Sequence, residues 1–260
     1  MSLEILDIFS YIIIGLITGV AAGFFGMGGG TIIVPVMLFL GQPIHHAIGV
    51  SVMQMIFSST FGSIINYKKG LLNIEDGIYA GIGGLIGASF SGMLLDSISS
   101  KTLTFLFLLI TLYSLLKYAF KIQSSTNLTP PIKSKSQQRL ILIITGIITG
   151  IFAISLGIGG GLLMVPILGY YLGYESKKVV PLGLFFVIFS SISGIISFHN
   201  SNVIDAQVLH IGIYIGIASM IGVWIGIKLI QKASAKVHRN GLLSIYMLSV
   251  LVTAYKLFAG

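Results

Sequence analysis

The stretch Gly15–Pro35 reads GLITGVAAGFFGMGGGTIIVP, and it decides the fold because glycines interrupt an apolar run that extends over about residues 8–41. As one straight helix, a run of about 34 residues would extend about 50 Å, whereas the hydrocarbon core of a bilayer is about 30 Å thick. Gly26 and Gly28–Gly30 place four glycines in five positions. Each glycine costs a helix interior about 1 kcal/mol relative to alanine. The sequence therefore predicts two helices joined by a glycine loop.

A second copy of this pattern follows 131 residues later, where Gly146–Pro166 reads GIITGIFAISLGIGGGLLMVP. Further segments correspond in the same order: FSSTFGSII (57–65) with FSSISGIIS (189–197), and IGASFSG (86–92) with GIASMIG (216–222). A shared order of matching segments indicates an internal duplication, which is common among membrane transporters. We predict a first repeat over 1–122, a polar surface loop over 123–138 and a second repeat over 139–260.

The composition excludes a soluble globular fold. Of the 260 residues, 55% are hydrophobic and 8% are charged, whereas soluble domains contain about 25% charged residues. We therefore predict an all-α polytopic membrane protein in contact with the lipid bilayer. The net charge of +8 does not predict nucleic-acid binding, because the basic residues are scattered in short loops between apolar stretches. The first residues, MSLEILDIFSY, include no basic side chain, so we expect that the first apolar stretch is not a cleaved signal peptide.

The distribution of Lys and Arg between the loops indicates whether each glycine-broken stretch crosses the membrane once or turns back. If each stretch crosses once, the two sides of the membrane carry eight and seven basic residues. If each turns back at its glycine loop, one side carries 13 and the other carries only Lys101 and Lys256. Cytoplasmic loops are rich in basic residues, so the sequence favours hairpins. We predict ten helical segments, five per half, as inverted repeats with both termini outside. The count does not distinguish full crossings from re-entrant hairpins.

The two glycine loops are the candidate substrate site. Each precedes a short helix, whose N-terminus offers free N–H groups and a partial positive charge. Glycine lets a ligand approach this backbone closely, so two such ends facing each other suit a small anion. Glycine and serine also permit tight packing of membrane helices, which is the alternative explanation. The candidate substrate-binding residues are Gly28, Gly29, Gly30, Thr31, Gln54, Ser58, Ser59, Ser155, Gly159, Gly160, Gly161, Ser190 and Ser191. Ser51 and Ser193 are further possible hydroxyl donors.

Ionisable side chains are sparse in the apolar stretches. The carboxylates lie near segment ends, where loops and helix caps are expected: Glu75, Asp76, Asp96, Glu175 and Asp205. No carboxylate falls in the middle of a stretch, which argues against a cationic substrate and against a carboxylate proton relay. No spacing of His, Asp and Glu fits a metal site, and neither HExxH nor GxSxG occurs. The sequence therefore predicts no catalytic residue, no metal and no cofactor.

The paired motifs GFFGMGGGTIIVP (23–35) and LGIGGGLLMVP (156–166) resemble the TauE/SafE family of sulfite and organosulfonate exporters, also named the toluene-sulfonate uptake permease family. The resemblance continues through Tyr67–Gly92 and Ile98–Tyr118, and it covers nearly the whole chain outside the central loop. The two motifs are not identical, since Phe24 of the first corresponds to Ser155 of the second. The second loop therefore has an additional hydroxyl.

This resemblance implies a secondary transporter or facilitator, not an enzyme, that moves a sulfur oxyanion or organosulfonate across the bacterial cytoplasmic membrane. An inside-negative potential favours export of an anion, by about 2.3 kcal/mol per charge per 100 mV. Import coupled to a proton or sodium ion is the other direction considered. An anion channel and a non-transporting scaffold subunit are the alternative functions, and a homo-oligomer is compatible with either.

Overall fold

The computed structural model describes residues 2–120, 134–174, 176–201 and 203–259, which form eleven α-helices and contain no β-strand. The first half comprises α1 Ser2–Phe25, α2 Gly30–Phe39, α3 Ile44–Lys68, α4 Ile74–Ala88, α5 Ser91–Ser97 and α6 Ser100–Ala119. The second half comprises α7 Lys135–Ser155, α8 Gly161–Leu172, α9 Ser176–Asn200, α10 Ala206–Lys232 and α11 Ala235–Ala259. With α4 and α5 counted as one span, eight helices of the described residues are long and apolar enough to cross a membrane. The prediction of an all-α polytopic membrane protein is confirmed.

Two helix boundaries differ from the predicted segments. Helix α7 begins at Lys135, inside the predicted surface loop, because Ser134 and Gln137 form a capping box at its N-terminus. Residues 123–133 of that loop lie outside the described residues. The third span is broken between α4 and α5, where the Ser197 hydroxyl of α9 accepts from the Gly92 N–H and donates to the Ser89 carbonyl oxygen, both at 2.9 Å. The Ser197 hydroxyl thus replaces hydrogen bonds that these two backbone groups would make within a continuous helix.

The directions of the helices show that the first glycine-broken stretch is a hairpin. Successive glycines of α1, at positions 15, 19 and 23, approach the backbone of α10 at positions 215, 219 and 223 in the same order. These two helices are therefore parallel. Helix α3 is also parallel to α10, because Gly212 lies against Met53 and Gly216 against Phe57. Since α1 and α3 run in the same direction, the chain must turn back between them, and α2 is the returning arm.

The second half repeats these contacts. Gly83 and Gly87 of α4 approach the backbone of α7 at positions 143 and 147, and Gly77 and Gly81 lie against Phe185 and Phe189 of α9. Helices α7 and α9 are therefore parallel as well, and α8 is the returning arm of a second hairpin. These contacts pair GIYAGIGGLIG (77–87) with GIYIGIASMIG (212–222), an offset of 135. The predicted pairing of 86–92 with 216–222 is wrong by five residues, because glycines recur in both registers.

Helices α3 and α9, which occupy equivalent places in the two halves, run antiparallel. Gly194 of α9 lies beside Val52 of α3, whereas Gly62, ten residues further along α3, lies beside Leu184 of α9. Opposed directions of equivalent helices are expected when two repeats have inverted topology. This crossing therefore supports the inverted-repeat prediction.

Candidate functional site

The two glycine loops contact each other backbone to backbone in the interior. Residues 26–30 and 156–161 are all buried. A Cβ atom on Gly30 would overlap the Gly157 carbonyl oxygen, and a Cβ atom on Gly159 would overlap the Met27 carbonyl oxygen. The Ser51 hydroxyl of α3 donates to that same Gly157 oxygen at 2.7 Å. Glycine is therefore required where the loops meet, and one serine links α3 to the second loop.

The loops lie about half-way along the central helices. Gly28 is next to Met55 in the middle of α3, and Gly160 is next to Phe186 and Val187 in the middle of α9. Both α3 and α9 are candidate membrane spans. The backbone N–H and C=O groups of a loop at this depth are out of reach of the water at the membrane surface. Such a loop must therefore be covered by protein or line a water-filled cavity. The loops therefore lie deep within the protein, as predicted for the candidate site.

The N-terminus of α2 carries polar groups without partners. Gly29, the residue before α2, has a φ of 90°, and its carbonyl oxygen accepts from the N–H groups of Ile32 and Ile33. The N–H groups of Gly30 and Thr31 are too early in the helix to have an intrahelical acceptor. A Cβ atom on Gly29 would lie 3.1 Å from Oε1 and 3.2 Å from Nε2 of Gln54. The Gln54 side chain is fully buried, and neither its amide atoms nor the Thr31 hydroxyl has a partner among the described residues.

The remaining predicted hydroxyls divide into three groups. Ser58 contacts the first loop, since its hydroxyl donates to the Gly28 carbonyl oxygen at 3.3 Å. The hydroxyl of Ser191 is buried and has no partner in the described part of the chain. The others donate to carbonyl oxygens of their own helices, at 3.4, 2.7 and 3.2 Å respectively: Ser59, Ser155 and Ser190. These last three therefore follow the helix-packing explanation more closely than the site explanation.

The N-terminus of α8 has a different environment. Gly160, the residue before α8, has a right-handed φ of −71°, and the Phe186 ring lies against it. Phe186 is the residue that corresponds to Gln54 at the offset of 132 that relates α3 to α9. Leu162 stands where the first hairpin has Thr31. Among the described residues, the unpartnered polar side chains next to a helix N-terminus are therefore those at α2: Gln54 of α3 and Thr31 of α2 itself.

The outer ends of the hairpins are also held differently. Beyond α8, the Tyr174 hydroxyl donates to the buried Asp76 carboxylate at 2.7 Å, and the Gln138 amide donates to the same carboxylate at 2.9 Å. Burial and the hydrogen bond to Asp76 raise the pKa of Tyr174 well above its usual value, so its proton is retained. Beyond α2, the corresponding contact is a half-exposed pair between His46 and Asp205, with 3.5 Å between Nε2 and Oδ2.

Sequence reasoning missed two residues of α11 that contact the first hairpin, Tyr246 and Ser249. No pattern in the sequence marks them, because their partners become apparent only once α11 is packed on α2. A groove of about 220 Å³ between α2 and α11 is lined by Ile32, Pro35, Val36, Phe39, Leu248, Ser249 and Val252. These side chains are almost all apolar, so the groove suits a lipid chain better than an anion.

Comparisons with known proteins give a family and several relatives. The family described as sulfite exporter TauE/SafE matches residues 11–253. The chain is 30% identical over 251 residues to the probable membrane transporter protein MJ0441 of Methanocaldococcus jannaschii, covering 90% of each chain. It is 27% identical over 285 residues to the probable membrane transporter protein YunE of Bacillus subtilis, covering 95% of each. YdhB of the same organism, also a probable membrane transporter protein, is 26% identical over 223 residues, which are 84% of this chain and 88% of YdhB. No solved structure matches.

Proposed function

The chain belongs to the TauE/SafE sulfite exporter family, and from this premise we propose that it is a secondary transporter or facilitator for a small anion, a sulfur oxyanion or organosulfonate. The relatives are named as probable membrane transporters, which supports a transport function and specifies no substrate. The proposed location is the cytoplasmic membrane, with both termini outside. The observation that carries the proposal is the N-terminus of α2, which lies mid-way along α3 beside unpartnered, buried polar side chains.

The chemistry of this helix end favours an anion. The first N–H groups of α2 point away from the helix interior, and the helix dipole adds a partial positive charge there. The Gln54 amide and the Thr31 hydroxyl are hydrogen-bond donors that have no acceptor among the described residues. A buried donor without an acceptor costs about 1–3 kcal/mol, and an anion would remove that cost. Because these groups are neutral, they can bind an oxyanion without the strong ion pair that would slow its release.

The arrangement of the two halves supports alternating access. The antiparallel crossing of α3 and α9 gives the hairpins opposite orientations, so movement of one half against the other would open the loops first to one side and then to the other. Thirteen of the 15 basic residues fall on one predicted side, which we assign to the cytoplasm. An inside-negative potential then makes export the favoured direction for an anion.

The test is flux of sulfite and of an organosulfonate into liposomes that contain the purified protein. The Gln54→Leu variant should lower the flux about tenfold or more, because a hydrogen bond to a charged group contributes about 1.5–3 kcal/mol. Its thermal stability should be unchanged or higher, since a buried amide without a partner is replaced by an apolar side chain. Gln207→Leu is the matched control, because Gln207 is exposed at the start of α10.

Three outcomes of this experiment distinguish the proposal from its alternatives. A carrier should show accelerated exchange when unlabelled anion is present on the opposite side, whereas a channel should not. A wild-type protein that moves neither anion, in liposomes where its fold is intact, would favour the scaffold. Flux that survives Gln54→Leu would remove Gln54 from the site.

A further inference from the structure

Proline in the middle of α2 leaves one backbone carbonyl without its helical donor. In an α-helix the N–H of each residue bonds to the carbonyl oxygen four residues earlier. Pro35 lies inside α2 and has no N–H, so it cannot bond to the carbonyl oxygen of Thr31. Thr31 is buried, with 1% of its surface exposed. A donor from outside the helix is therefore needed at this residue, which also carries one of the unpartnered hydroxyls of the proposed anion site.

Helix α11 provides that donor. The Ser249 hydroxyl donates to the Thr31 carbonyl oxygen at 2.5 Å, and Ser249 is itself buried. One turn earlier on the same face, the Tyr246 hydroxyl donates to the Met27 sulfur at 3.1 Å. Helix α11 thus contacts the first hairpin twice, once in its glycine loop and once in its returning arm.

In the part of the chain that the structure describes, α11 makes this contact with the first hairpin. Helix α11 packs on both α2 and α6, whereas α8 packs mainly on α7 and α9 among the described residues. Among the described residues, no comparably extensive contact joins α8 to α6, the last helix of the other half. The hairpin that carries the unpartnered polar groups is the one that α11 holds.

We propose that Ser249 is a positioning residue for the anion site. By donating a hydrogen bond to the carbonyl oxygen that Pro35 leaves free, Ser249 fixes the first turn of α2 in the orientation that binds the anion. This turn carries the Thr31 hydroxyl and the N–H groups of Gly30 and Thr31. The proposal rests on the proposed transport function. Ser249 acts through Thr31 and does not contact the anion itself. Loss of its hydroxyl should weaken substrate binding more than it slows the transport cycle.

The test uses sulfite flux in liposomes, measured as KM and maximal rate for four proteins: wild type, Ser249→Ala, Pro35→Ala and the double variant. Ser249→Ala should raise KM about fivefold or more, because a buried carbonyl loses its donor. Pro35→Ala should leave KM near the wild-type value, because the alanine introduces an N–H that can bond within the helix. For the same reason the double variant should recover most of the affinity lost in Ser249→Ala. Ser244→Ala is the matched control, since the Ser244 hydroxyl is exposed and bonds to its own helix.

Each result decides the proposal. If Ser249→Ala leaves KM unchanged, or if adding Pro35→Ala fails to restore it, Ser249 is not a positioning residue. A purely structural role would lower the melting temperature of Ser249→Ala without the change in KM. If the wild-type protein moves no sulfite, the transport function fails separately. The melting temperatures of the same four proteins then test whether Ser249 satisfies the carbonyl that Pro35 leaves free. If Ser249→Ala lowers the melting temperature equally in the wild-type and Pro35→Ala backgrounds, Ser249 does not have this role.

Discussion

The two glycine loops share two left-handed glycines, but they differ in the conformation of the residue before the following helix and in the side chains around it. Gly26 and Gly28 of the first have φ values of 71° and 72°, and Gly157 and Gly159 of the second have values of 64° and 83°. These left-handed conformations strongly favour glycine in both loops. The side chains that surround the following helix differ: an amide and a hydroxyl meet α2, whereas an aromatic ring meets α8.

This difference separates two roles that the repeated motif could have had. The glycines recur because two backbones must touch at the centre of the molecule, which any pair of side chains would prevent. Gln54 and Thr31 have no polar counterparts in the second half, where Phe186 and Leu162 take their places, so the repeat itself does not specify the ligand. We infer that the duplicated residues determine the architecture, and that the residues in which the halves diverge determine what is bound.

The largest effect should come from adding a methyl group where the backbones touch. In Gly159→Ala the new Cβ would overlap the Met27 carbonyl oxygen, and overpacking together with left-handed strain should destabilise the protein by about 3 kcal/mol or more. The equivalent Gly28→Ala places its Cβ 3.1 Å from Cγ of Met55, a flexible side chain that can move. It should therefore be milder. The measurement is the melting temperature and the yield of monodisperse protein in detergent.

A third glycine separates strain from overlap in that experiment. Gly41 has a φ of 84°, and nothing lies within 4 Å of the position its Cβ would take. Gly41→Ala therefore suffers only the left-handed strain, of about 1–2 kcal/mol. Equal losses in Gly159→Ala and Gly41→Ala would mean that contact between the loops contributes nothing to the requirement for glycine.

The next effect concerns ligand chemistry and should leave the fold intact. Thr31→Val removes the buried, unpartnered hydroxyl of the first hairpin and approaches the apolar character of the second, where Leu162 holds this position. Sulfite flux at low concentration should fall about tenfold or more, in proportion to a lost hydrogen bond to a charged group. The melting temperature should not fall, because the deleted hydroxyl has no partner among the described residues.

Thr111→Val is the control for that substitution. The Thr111 hydroxyl is buried in α6 and donates to the carbonyl oxygens of Phe107 and Leu108, at 2.8 and 3.0 Å. It lies in a helix away from the glycine loops, so its removal should leave flux unchanged. If both variants transport equally well, the Thr31 hydroxyl has no part in binding, and the contrast between Thr31 and Leu162 is one of packing alone.

The sequence was sufficient for the features that depend on local chemistry. The glycine clusters predicted where α1 and α7 end, and the loop charges predicted that the chain turns back there, as the parallel directions of α1 and α3 show. The carboxylate of Asp205 caps α10, as expected for an acidic residue at a segment end. These inferences succeed because each depends on neighbouring residues or on a sum over loops.

Features that depend on which helices meet could not be predicted in the same way. The predicted sequence pairing of α4 with α10 is wrong by five residues. Only the contacts of these helices with α9 and α3 distinguish one glycine from the next. Pro35 indicates that the Thr31 carbonyl needs a donor. The sequence does not identify that donor, because Ser249 is separated from Thr31 by most of the chain. The sequence pairs Phe186 with Gln54 at an offset of 132, but only the structure shows that each of these side chains lies against a glycine loop.

The smallest effects should come from the outer ends of the hairpins. Tyr174→Phe removes one of the hydrogen bonds to buried Asp76 and should lower the stability by about 1 kcal/mol, whereas His46→Ala breaks a half-exposed pair and should change the stability by about 0.5 kcal/mol or less.

The raised pKa of Tyr174 predicts how the effect of Tyr174→Phe on stability depends on pH. The phenol keeps its proton in the folded protein, so its contribution is complete below the pKa of an unfolded tyrosine, about 10, and is lost only as the pH rises through the higher value of the folded state. The difference in melting temperature between wild type and Tyr174→Phe should therefore be constant from about pH 6 to about pH 9. A difference that disappears within this range would show that the proton is not held, and the second hairpin would then be no more firmly tied at its outer end than the first.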